Sequence, residues 1–76
     1  MSLEERLYQA RRKVCVDHLV RLGQSPELAE EWCSAWEREA ERRPAPPPGE
    51  YWEYGRLWIE AQIAGRRSPL AMAGGR

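Results

Sequence analysis

Residues 25–43 read SPELAEEWCSAWEREAERR, and this segment has every feature of an amphipathic helix. Ser25 is placed to accept from the amides that a first helical turn leaves unpaired. Pro26 stands where its missing N–H costs nothing, and Glu27 puts negative charge at the positive end of the helix dipole. On a 3.6-residue wheel Leu28, Ala29, Trp32, Cys33, Trp36 and Ala40 share one arc, while Glu30, Ser34, Glu37, Arg38 and Glu41 share the other. Trp32 and Trp36 are therefore expected to face inward as structural residues. The helix is expected to end near Arg43, because Pro44-Ala45-Pro46-Pro47-Pro48-Gly49 removes backbone donors and pushes each residue before a proline away from helical angles.

Working backward, Gly23 is the first residue that readily takes the left-handed conformation that ends a helix. Ser2-Leu3-Glu4-Glu5 matches a capping box, so a first helix is expected from about residue 3 to 22. Two helices joined by a turn centred near Gln24 make an antiparallel hairpin in which residue numbers summing to about 48 or 49 lie opposite each other. Cys15 is thereby expected beside Cys33, within disulfide range whatever the redox state of the pair.

Working forward, residues 44–49 form a stiff linker of polyproline character, read as a spacer, with a short PxxP ligand as the alternative. A third helix is expected over about 50–64. Its polar side chains Glu53, Arg56 and Glu60 occupy only a narrow stripe. Trp52, Ile59 and Ile63 line one side, and Tyr54, Leu57, Trp58 and Ala61 another, with Tyr51 and Gly55 between them. Gly65 is placed to end this helix, and residues 66–76 carry no helical periodicity, so they are expected to form a flexible tail. The expected fold is all-α: an antiparallel helical hairpin plus a third helix after a proline-rich linker, one domain over residues 1–65.

Seventy-six residues leave room for one domain and no more. A chain this short buries only about 60% of the surface its unfolded form exposes, so its core is thin and a partner surface would add usefully to its stability. Twelve basic residues balance twelve acidic ones, so no global field draws the chain toward nucleic acid or an anionic membrane. The charges are segregated, however: residues 1–24 sum to +2, residues 25–41 to −5 and residues 42–76 to +3. No apolar run approaches the roughly 20 residues needed to cross a bilayer, and the chain opens MSLEERLYQ instead of with a basic segment and an apolar one. A cytoplasmic protein without membrane contact is the expectation.

Two sets of residues invite three chemical readings. Cys15, His18 and Cys33, with Glu30 or Glu37 as a fourth ligand, form a conceivable zinc site, but there is no CxxC pair, and packed free cysteines are the favoured reading, with no metal and no cofactor. The same residues as a nucleophilic pair would need a cleft, an orienting group and an oxyanion site, and neither a phosphate-binding loop nor an H-E-x-x-H pattern is present, so no enzyme is expected. Nucleic acid is the third possibility, with Arg11, Arg12, Lys13 and Arg21 as phosphate contacts. The helix that would have to read bases is the most acidic part of the chain, which argues against it.

Four tryptophans and three tyrosines stand against no phenylalanine at all, a choice that suits half-buried positions and interfaces. A hairpin covers one side of a third helix, whereas this helix is apolar around most of its circumference. The expected function is therefore protein binding: a small regulator or inhibitor, of the kind phages and mobile elements carry as accessory proteins, that covers a partner protein's surface. The expected contacts are Tyr51, Trp52, Tyr54, Arg56, Trp58 and Ile59, met by another protein or a second copy of the chain. A small dimeric DNA-binding transcriptional regulator is the alternative.

Overall fold

The ends of the first two helices can be traced to local sequence signals. The protein, seen in a computed structural model that describes residues 2–47 and 49–69, consists of α1 (Leu3–Arg21), α2 (Pro26–Ala40) and α3 (Tyr51–Ala64), with no strand among the described residues. At the start of α1 the capping box closes in both directions: Ser2 Oγ accepts from the Glu5 amide, and the Glu5 carboxylate accepts from the Ser2 amide, each at 3.1 Å. Ser25 Oγ accepts from the Leu28 amide at the start of α2. No side chain caps α3, so its position depends on tertiary packing.

The first and last helices end in the same hydrogen-bond pattern with different residues. After α1, Gly23 takes φ +106°. Its amide bonds the Val20 carbonyl, and that of Gln24 bonds Leu19, which is a Schellman closure. After α3 the amides of Arg66 and Arg67 bond the carbonyls of Ile63 and Gln62. There the left-handed residue is Arg66, at φ +60°, one place beyond the expected Gly65. The middle helix stops at Ala40 instead of near Arg43. Glu41 and Arg42 bond back only three residues, to Arg38 and Glu39, tightening a last turn that Pro44 prevents from continuing.

The helices run up, down and up. Tyr8 packs against Tyr51 and Trp52 at one end of the α1–α3 pair, and His18 meets Glu60 at the other, so these two helices are parallel. Trp36 contacts Tyr51 while Trp32 contacts Trp58, so α2 and α3 are antiparallel. The core is Cys15, Val16 and Leu19 from α1, Ala29, Trp32, Cys33, Ala35 and Trp36 from α2, and Trp52 and Ile59 from α3. Trp32 and Trp36 are both buried, as their arc requires.

The α2–α3 contact turns on one glycine. A Cβ built on Gly55 would lie 2.5 Å from two ring atoms of Trp36, closer than such contacts are found, so the indole lies directly against the α3 backbone. The indole N–H groups of Trp36 and Trp52 are buried without an acceptor. Burial and ring contacts, not the polar handles of these side chains, hold them in place.

Residues 66–69, the start of the expected tail, make contacts of their own. The Schellman turn folds residues 66–69 back toward the bundle, Arg67 donates to the Gln62 side chain at 2.6 Å, and Pro69 is buried. Residues 70–76 of the expected tail lie outside the described residues.

Candidate interaction site

The six expected contact residues on α3 divide by face. Trp52 and Ile59 are buried and belong to the core. Tyr51 and Trp58 are half-buried, Tyr51 between Tyr8 and Trp36, and Trp58 edge-on to Trp32 at 6.2 Å between ring centroids. Arg56 is half-buried and bonds Glu60 at 3.1 Å. Of the six, Tyr54 alone is exposed, at 43%. The most exposed large apolar side chain of this helix is Leu57, at 57%, and with Tyr54, Ala61 and Ala64, all exposed, it makes an outward apolar face.

A second exposed apolar row lies on α1. Leu3, Leu7, Ala10 and Val14 recur at spacings of four, three and four residues, which places them on one helical stripe, and all four are exposed, Val14 at 67%. This stripe borders an open seam between α1 and α3. One cavity of about 300 Å³ is lined by Arg11, Val14, Cys15, Gly49, Trp52, Glu53 and Arg56. A second, of about 190 Å³, shares Arg11, Gly49 and Trp52 with it and adds Leu7, Tyr8 and Tyr51. Together they form a groove with an aromatic floor, aliphatic residues on its α1 wall, and charged side chains of both signs along the rim.

Polar contacts tie the helices around this groove. Arg12 joins α1 to α2: it donates to the Glu30 carboxylate at 2.5 Å and to Ser34 Oγ at 3.1 Å, lies 3.6 Å from Glu37, and places its guanidinium 6.0 Å from the centre of the Trp52 ring. Tyr8 donates its hydroxyl to Glu37, and burial followed by that carboxylate raises the phenol well above its usual range. At the far end, His18 Nε2 lies 2.6 Å from Glu60 Oε2, which Arg56 also approaches. The His18 contact first, and then Arg56, hold the Glu60 carboxyl below its usual value.

The three residues weighed as a zinc site do not converge. Cys15 and Cys33 are both buried in the core that α1 and α2 share, close enough for each to perturb the other's thiol, and both are free. His18, by contrast, is directed at Glu60. Among the described residues no group of three or more His, Cys, Asp or Glu side chains is disposed to hold a metal ion. Of the expected phosphate contacts, Arg12 is occupied by Glu30, Ser34 and Glu37, and Lys13 lies 3.6 Å from Asp17. Arg11 and Arg21 are exposed. No helix is long and apolar enough to cross a membrane among the described residues.

The chain matches no protein-family model, no curated protein and no solved structure.

The α1 stripe is the part of this site that reading the sequence by helix overlooks. Its signal is present in the spacing of Leu3, Leu7, Ala10 and Val14. The capping box and the charged run Arg11-Arg12-Lys13 draw attention from it, and α1 carries apolar side chains on two sides, so no single arc stands out.

Proposed function

We propose that this protein is a non-enzymatic protein-binding module, a small regulator or inhibitor whose contact surface is the α1–α3 groove with the outward face of α3. The observation that carries this reading is the pair of uncovered apolar rows: Leu3, Leu7 and Val14 on α1, and Tyr54 and Leu57 on α3. Each Å² of such surface left in water forgoes roughly 25 cal/mol that burial would supply, and aligned exposed rows of this kind mark interfaces on small soluble proteins. The fitting partner element is an amphipathic helix, from a target protein or a second copy, that lies along the groove as the fourth member of a bundle. Mixed rim charges, Arg11 and Arg56 with Glu4 and Glu53, would set its register more than its affinity.

The test compares wild type with Val14→Glu and Leu57→Glu. Circular dichroism should show full helicity in both variants, while sizing shows loss of a dimer or affinity capture shows loss of one specific partner. Folded variants that keep the oligomeric state and every captured partner would remove this surface from the functional account. DNA binding that falls steeply with salt and disappears on replacing Arg11 and Arg21 would instead establish the nucleic-acid alternative.

A further inference from the structure

Cys15 lines the groove just proposed as a contact surface, and the setting of the Cys15–Cys33 pair is that of a reactive thiol pair. Cys15 is 3% exposed, and it lines the 300 Å³ cavity that also presents Arg11 and Arg56. Cys33 lies on α2, fully buried in the same core cluster and close enough to perturb the Cys15 thiol. Two cysteines packed for bulk alone need neither an opening onto a cavity nor cationic neighbours. Here one cysteine lines a cavity that Arg11 and Arg56 also line, and the other is wholly enclosed.

We propose that Cys15 and Cys33 form a peroxide-reactive dithiol, in which Cys15 meets a small hydroperoxide in the α1–α3 cavity and Cys33 resolves the product as a disulfide joining α1 to α2. The electrostatics favour that division of labour. The contact with Cys33, followed by the charges of Arg56 and Arg12, lowers the Cys15 thiol, so the first thiolate forms there. The Cys33 thiol is raised, first by that same contact and then by burial, so it keeps its proton. Arg56 lines the same cavity, so its positive charge would favour the negative charge that develops on a departing peroxide oxygen there.

The chemistry balances with hydrogen peroxide as oxidant. Cys15 loses its proton to solvent, and the thiolate attacks one peroxide oxygen. An S–O bond forms, the O–O bond breaks and hydroxide departs, leaving a sulfenic acid. The hydroxide takes the Cys33 proton and becomes water. The Cys33 thiolate then attacks the Cys15 sulfur and expels a second hydroxide, which the proton released at the start converts to water. Two thiols and one peroxide give one disulfide and two waters. The sulfurs are oxidised, the peroxide oxygens are reduced, and an external thiol reverses the change.

The experiment treats the folded, reduced 76-residue chain with one equivalent of hydrogen peroxide and follows intact mass and thiol alkylation over time. Wild type should lose the mass of two hydrogens, resist alkylation at both cysteines and recover fully with dithiothreitol. It should react at least about tenfold faster than glutathione at the same pH. Cys33→Ser should accumulate a sulfenic acid that dimedone traps on Cys15, whereas Cys15→Ser should leave Cys33 unmodified over the same interval. Arg56→Gln, checked for helicity, should slow the wild-type reaction several-fold, while Arg21→Gln should not. Oxidation no faster than that of glutathione, or equally fast after unfolding in urea, would overturn the proposal, as would dimedone capture on Cys33 in place of Cys15. The wild-type rate decides the matter even if a cysteine variant fails to fold.

Discussion

The two faces of α3 contain nearly the same chemistry and meet different surroundings. Inward, Trp52, Gly55 and Ile59 are buried against the hairpin, with Tyr51 and Trp58 closing the edge toward α2. Outward, Tyr54 and Leu57 stand beside Ala61 and Ala64 with nothing over them. The inner face is specified by complementarity, a backbone approach at Gly55 that fits one indole. The outer face is specified only by being apolar. An amphipathic pattern separates core from solvent, but an all-round apolar helix needs a neighbour's geometry to say which half belongs to the fold.

The largest test of that division is Ile59→Ala. It should remove about 2–5 kcal/mol, as for other fully buried aliphatic truncations, and bring a domain this small close to unfolding in a urea titration. Stability near wild type would place Ile59 outside the core. Gly55→Ala comes next. The methyl would favour the isolated helix by about 1 kcal/mol, but it meets the rigid Trp36 ring at 2.5 Å, so the bundle should lose about 1–3 kcal/mol net. A higher melting temperature would show that the indole moves aside freely.

At the edge between the faces, Glu60 links α3 to His18 of α1. Its carboxyl lies below the ordinary 4.5 in the folded chain, so its stabilising contribution is complete above that value and is lost as pH falls through the depressed one. Denaturation curves between about pH 5 and pH 2 should converge for wild type and Glu60→Gln. Curves that stay parallel would deny the tie any role in acid sensitivity. The smallest expected effect on folding is that of Leu57→Ala, within about 0.5 kcal/mol of wild type by the same titration. A loss comparable to that of Ile59→Ala would move Leu57 into the core and erase the distinction between the faces.

Much of this arrangement was legible in the chain, and for identifiable reasons. Ser2, Ser25, Gly23 and the proline run act through local backbone chemistry, so helix starts and stops could be placed to within a few residues. The hairpin register followed from a single turn and brought Cys15 to Cys33. The division of Tyr51, Trp52, Tyr54, Arg56, Trp58 and Ile59 between faces was not legible, because the wheel gives relative angles and not the direction from which the hairpin approaches. The partner of His18 lies on α3, 42 residues away, beyond the reach of any spacing rule. Arg66 in a left-handed position runs against residue preference, and only the hydrogen bonds that close α3 reveal it.

The up-down-up course also fixes an order of events in time. The α1–α2 and α2–α3 contacts join helices adjacent along the chain and need only short loops to close. The α1–α3 seam, with Tyr8 on Trp52 and His18 on Glu60, joins segments more than forty residues apart and carries the larger entropic cost of closure. It is therefore expected to be the last seam to form and the first to open, and faster deuterium exchange of α3 amides than of α1 and α2 amides would be the sign of it. On that expectation a helix bound in the groove would slow exchange most along the α1–α3 seam.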